Sequence, residues 1–156
     1  MQKTYNFLNK SIENMLAAIF GLLVIDVVWQ VASRYIIGQS SSFTEEFARF
    51  SLIWLAVLGA AYINGQKEGH LSMDFLVTKL PPKKQLVRKK NIQLFMILFA
   101  IIVMVIGGGN LVYITLKLGQ TSPALHVPLG YVYAIVPISG LLIIFFCIHR
   151  ILETKE

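Results

Sequence analysis

The chain has 156 residues, 56% of them hydrophobic and 14% charged, with a formal net charge of +6. A soluble domain of this length is about 45–50% apolar and about 25% charged, so the composition excludes an ordinary soluble fold. A single cysteine, Cys147, excludes an internal disulfide and leaves the redox compartment open.

The apolar excess falls into four blocks, residues 12–37, 43–64, 92–117 and 128–149. Each reaches the roughly 20 residues that a helix needs to cross about 30 Å of hydrocarbon. The expected fold is therefore an all-α integral membrane protein, one four-helix transmembrane domain occupying residues 1–156. Residues 1–11 are too polar, and the block after them too long, for a cleaved secretory signal, so the first span is expected to be retained.

Charge placement sets the expected topology. Lys67, Lys79, Lys83, Lys84, Arg88, Lys89 and Lys90 lie between the second and third blocks, while Lys3, Lys10, Arg150 and Lys155 flank the outer two. The positive-inside rule then puts both termini in the cytoplasm and turns residues 38–42 and 117–127 outward. In a soluble protein this net charge would suggest nucleic acid. Here the basic connection reads as a topology signal and a contact for membrane lipid headgroups.

In the first span, Asp26 stands near the midpoint and Gln30 one turn further on. An intramembrane acid is a functional candidate by default. Proton coupling would want a second titratable group at that depth, but the mirrored residue is Trp54. The favoured reading is an acceptor for the Trp54 N–H or for a partner's donor.

The first two spans read as a tight hairpin around Gly38–Ser42, with Arg34 closing one helix and Glu45, Glu46 and Arg49 opening the other. Ser42 stands three residues before Glu45, a capping-box spacing, and both glutamates would favour a helix N-terminus. If the chain reverses near residue 40, Arg34 falls level with Glu46. Glu45 and Glu46 are also one turn before Arg49. A four-member charge cluster of Arg34, Glu45, Glu46 and Arg49 would lock the hairpin and offer a polar surface to a partner.

The connection over residues 65–90 mixes Leu71, Met73, Phe75, Leu76, Val77 and Leu80 with few charges and ends at Pro81-Pro82. That pattern fits a short amphipathic helix in the inner interface, anchored by His70, Lys83, Lys84, Arg88, Lys89 and Lys90. Pro82 suits the first turn of a new helix. Running to about Leu118, that helix exceeds the bilayer and should tilt.

Gly107, Gly108 and Gly109 in the third span, with Gly59 and Ala60 in the second, permit close helix packing or, in the third, a kink. Pro137 should bend the fourth span. No metal-ligand spacing appears, since His70, His126 and His149 are scattered, and no phosphate-binding loop or nucleophile–base pair accompanies them. An enzyme is unsupported.

Several ordered fragments resemble the small membrane subunit, DctQ-type, of tripartite ATP-independent periplasmic (TRAP) transporters. They are Arg34-Tyr35, Thr44-Glu45-Glu46-Phe47-Ala48-Arg49, Trp54, Leu58-Gly59-Ala60-Ala61, Gly69-His70-Leu71, Met73-Asp74, Thr121-Ser122-Pro123-Ala124-Leu125, and Tyr133 with Pro137. The resemblance implies a non-catalytic scaffold beside a large elevator-type membrane subunit. A periplasmic substrate-binding protein would deliver an organic acid, of the C4-dicarboxylate or sialic acid class, to that large subunit. Sodium is expected to bind there and not on this chain, which would need no cofactor. The competing reading is a self-sufficient, proton-coupled four-span exporter using Asp26. A redox-complex anchor would want axial histidines that are absent.

Overall fold

A computed structural model describes residues 2–38, 41–66 and 82–153. Within them, α1 covers Gln2–Ile36, α2 Ser42–Gly65 and α3 Pro82–Phe99. A π-helical stretch, Ala100–Gly107, carries α3 directly into α4, Gly108–Lys117. The fourth span is divided into α5, Leu129–Tyr133, and α6, Ile135–Glu153. Among the described residues, four helices are long and apolar enough to cross a membrane: Lys3–Ile36, Ser42–Gly65, Lys90–Lys117 and Leu129–Leu152. The all-α, four-span architecture expected from hydropathy is what the chain forms. The proposed interfacial helix falls on residues 67–81 and lies outside the described residues, as does His70.

Local chemistry explains most boundaries. Gly38 follows α1 at φ 77°, a left-handed position open to glycine. Gly119, at φ 60°, ends α4. There the Gly119 N–H bonds the Leu116 carbonyl at 3.1 Å and the Gln120 N–H bonds Thr115 at 3.1 Å, which is a Schellman closure. Pro82 takes the first position of α3, where its missing N–H costs nothing. Pro137 acts less as a smooth bend than as part of a break: the helix is interrupted at Ala134, so Pro137 sits in the first turn of α6.

The expected capping box is not formed. The N-cap of α2 is Ser41, not Ser42, and its side chain makes no capping bond. Thr44 instead turns its hydroxyl back to the Ser41 carbonyl at 2.8 Å. Starting the helix one residue earlier moves Glu45 past the position from which it could close a box.

The core is small and lies between α2, the third span and α6. Ala61, Ala100, Ile143 and Cys147 form its centre, with Leu58 and Phe146 fully buried nearby. Small residues set the helix spacing. A Cβ on Gly140 would meet Met104 Cβ at 2.8 Å, and one on Gly108 would meet Val136 Cγ1 at 2.9 Å and Pro137 Cδ at 3.1 Å. Of the expected packing residues, Gly108 and Pro137 therefore pack on one another. Gly59 and Gly109 have open space where a side chain would stand, and Ala60 is exposed.

α1 is peripheral. Ile12, Leu23 and Ser33 are buried along one narrow face against α2, but only 6% of its most apolar 18-residue stretch is buried, against 39% for the fourth span. Its membrane-spanning part leaves a wide apolar surface open, including Phe20, Ile25 and Val28.

Candidate functional site

Arg34, Glu45, Glu46 and Arg49 lie at the bundle end where α1 closes, α2 opens and the 118–128 loop runs, but they do not form one cluster. Glu45 and Glu46 differ by about 100° round the helix, so they leave α2 in different directions. Glu45 stays exposed and accepts a hydrogen bond from Arg49 at 3.3 Å, the expected one-turn pair. Exposed pairs of this kind contribute about 0.3–0.5 kcal/mol.

Glu46 turns the other way and is buried, 8% exposed, under the loop between α4 and α5. Its Oε2 accepts the Ser122 hydroxyl, the Ala124 N–H at 3.1 Å and the Leu125 N–H at 3.0 Å. Ser122, itself 2% exposed, also accepts from the Leu125 N–H at 3.2 Å through its Oγ. Pro123 has no N–H to give, so the backbone donors of this turn come from Ala124 and Leu125. A carboxylate accepting three donors is a strong fastening, since bonds to an ionised acceptor are shorter and stronger than neutral ones.

The loop itself is narrow. The Ser122 N–H bonds Val127 at 3.0 Å, the His126 N–H bonds Ser122 at 3.1 Å, and the Leu129 N–H bonds Gln120 at 2.9 Å. Thr121 and Pro128 form an antiparallel bridge, and His126 takes a left-handed φ of 55°.

Arg34 does not join. Ser33 is the residue buried against α2, so Arg34, one step round α1, points outward and forms no ion pair among the described residues. Glu46 meanwhile faces away from α1. The expected Arg34–Glu46 contact fails because both side chains leave the α1–α2 seam.

Trp54 does not serve Asp26 either. Its indole N–H bonds the Val132 carbonyl in α5 at 3.1 Å, just before the break at Ala134. That carbonyl is in the last turn of α5, where helical partners run out. Asp26 is half-buried, and its Oδ2 has no partner among the described residues. Gln30 is half-buried on the same face one turn on, and its carbonyl accepts the Ser33 hydroxyl at 3.0 Å.

The opposite end of the bundle holds a second polar assembly that hydropathy reasoning missed. The Tyr5 hydroxyl bonds the Gly65 carbonyl at 2.5 Å, while its ring stacks on His149 with centroids 4.7 Å apart. Arg150 donates to the Gln66 carbonyl, and the Gln66 amide donates to Asn9 Oδ1 at 3.2 Å. Asn64, 3% exposed, donates to Cys147 Sγ at 3.2 Å. Here the unpaired carbonyls ending α2 are met by side chains of α1 and α6. Of the basic anchor residues, Arg88 and Lys90 are exposed, and Lys83, Lys84 and Lys89 lie on α3.

Both assemblies fasten helix ends to their neighbours. Neither gathers three metal-ligating side chains among the described residues.

Against known proteins, residues 23–155 match the family of tripartite ATP-independent periplasmic transporters, DctQ component. A provisionally named TRAP transporter small permease protein of Haemophilus influenzae is 31% identical over 154 residues, covering 99% of this chain and 93% of that protein. The sialic acid TRAP transporter small permease protein SiaQ of Vibrio cholerae is 22% identical over 146 residues, covering 91% of this chain and 78% of its own length.

Proposed function

Because this chain belongs to the DctQ component family of the tripartite ATP-independent periplasmic transporters, we propose that it is the fixed, non-catalytic small subunit of a sodium-coupled importer. It packs against a large elevator-type membrane subunit and enlarges that subunit's stationary frame. A periplasmic binding protein delivers an organic acid, of the C4-dicarboxylate or sialic acid class, to the large subunit, where sodium also binds. Both termini face the cytoplasm, with the Glu46 end of the bundle on the periplasmic side.

The observation that carries this reading is where the polar side chains are spent. Glu46, Trp54, Tyr5, Gln66 and Arg150 all hold a loop or a helix end in place. A stationary frame needs that, because an elevator moves its cargo against something that must not yield. The wide apolar surface of α1 supports it too, since it suits lipid or a membrane partner better than water.

Affinity purification from membranes that also express the large subunit tests the assembly. The large subunit should be recovered with the tagged chain in stable, near-equal amounts. Recovery of the tagged chain alone, active by itself, would contradict it.

A further inference from the structure

The third span has two unlike faces. Ala100, Gly108 and Thr115 are buried against the fourth span. At about 100° per residue, Asn110 lies some 200° round from Gly108, on the far side. It is exposed, and its side-chain amide has no hydrogen-bond partner among the described residues. It stands seven residues before Lys117, so it lies about 10 Å inside the charged end of the span.

An amide carries two donors and an acceptor. Lipid tails supply neither, and polar side chains within spans accordingly turn toward other protein or a water-filled cavity. The surface beside Asn110 is also shallow. Gly107 is exposed, and nothing lies within 4 Å of where a Cβ on Gly109 would stand. Another backbone can therefore come close to the amide. Ile106 and Tyr113, 63% and 62% exposed, flank it along the helix. The open face of α1 differs: Phe20, Ile25 and Val28 offer lipid nothing polar.

We propose that the face of the third span carrying Gly107, Gly109 and Asn110 is where a transmembrane helix of the large membrane subunit docks. The Asn110 amide bonds a backbone carbonyl or polar side chain of that helix. This rests on the reading of the chain as the small subunit of such an assembly and adds which face meets the partner.

The test uses the intact complex, purified through a tag on this chain. A photoreactive p-benzoylphenylalanine replaces Tyr113 in one sample and Phe20 in another. After illumination, the Tyr113 sample should yield a covalent adduct with the large subunit, and the Phe20 sample should label lipid. Asn110→Leu should lower recovery of the large subunit about three- to tenfold, the range of one interhelical hydrogen bond in lipid. Asn110→Gln should restore part of it. Adducts from Tyr113 with lipid only would overturn the docking face, whether or not Asn110→Leu folds. Unchanged recovery with Asn110→Leu would overturn the role of the amide. If the unaltered chain recovers no large subunit, the functional reading falls and this face with it.

Discussion

Glu46 and Ser122 meet across 76 residues of sequence, joining the start of α2 to the loop that precedes the fourth span. Ser122 donates its hydroxyl to Glu46 and uses the same oxygen to accept from Leu125. One carboxylate thus fixes the shape of a loop and its position on the bundle.

Removing Glu46 leaves the Ser122 hydroxyl and the part-buried Ala124 N–H without an acceptor, and the Leu125 N–H with Ser122 Oγ alone, a more serious loss than an exposed pair. Glu46→Ala should lower the thermal unfolding midpoint in detergent by several degrees. Glu46→Gln, which keeps an acceptor oxygen, should lower it less, and Arg49→Ala hardly at all. Equal effects from Glu46→Ala and Arg49→Ala would show that the loop is held by something else.

Trp54 should act through its N–H as well as its ring. Trp54→Phe keeps an aromatic ring but leaves the Val132 carbonyl without that donor, at a cost of about 1 kcal/mol. Hydrogen exchange at the α5–α6 junction should speed up while distant helix ends stay unchanged. Uniform acceleration along all the helices would argue against a local role.

The glycines divide into two groups. Gly140→Ala and Gly108→Ala should each destabilise the chain by about 1–3 kcal/mol through overpacking. Gly59→Ala and Gly109→Ala should leave the isolated chain as stable as before, because the space beside them is open. Denaturation of the four variants in one detergent ranks them directly.

Much of this architecture could be read from hydropathy, because lipid forces each span to satisfy its own backbone and so to be a long apolar helix. Arg49 with Glu45 was legible for the same kind of reason, since a one-turn spacing fixes neighbours locally. Glu46 with Ser122 was not. Depth matching ranked Arg34 as its partner, but depth says nothing about which way a side chain leaves its helix. Only the structure shows that Ser33 occupies the α1–α2 seam and so turns Arg34 out. The Tyr5, Gln66 and Arg150 assembly was hidden because carbonyls at a helix end have no signature in the side-chain sequence. Gly140, Gly130 and Gly65, whose missing side chains leave room for Met104, Leu116 and Phe146, were missed similarly: a glycine reports a close approach only once its neighbour is known.

Asp26 separates a frame from a proton-driven exporter. If the chain is a frame, Asp26→Asn should leave substrate uptake by the complex largely intact, because an amide still offers an acceptor in the same place. An exporter using Asp26 as its coupling acid would lose activity with this change. Uptake at two values of pH, with and without the substitution, distinguishes them.

The orientation is checked by fusion. A reporter active only in the periplasm, attached after Glu156, should stay silent, and the same reporter inserted in the loop at Gln120 should be active. A strong signal from the C-terminal fusion would invert the bundle and place Glu46 on the cytoplasmic side.

The most direct measurement is organic-acid uptake into liposomes under an inward sodium gradient. Vesicles would hold this chain, the large subunit, or both, each with and without the periplasmic binding protein. The scaffold account predicts uptake only when both membrane subunits and the binding protein are present, and none from this chain alone. Sodium-driven uptake by this chain without the large subunit would contradict it.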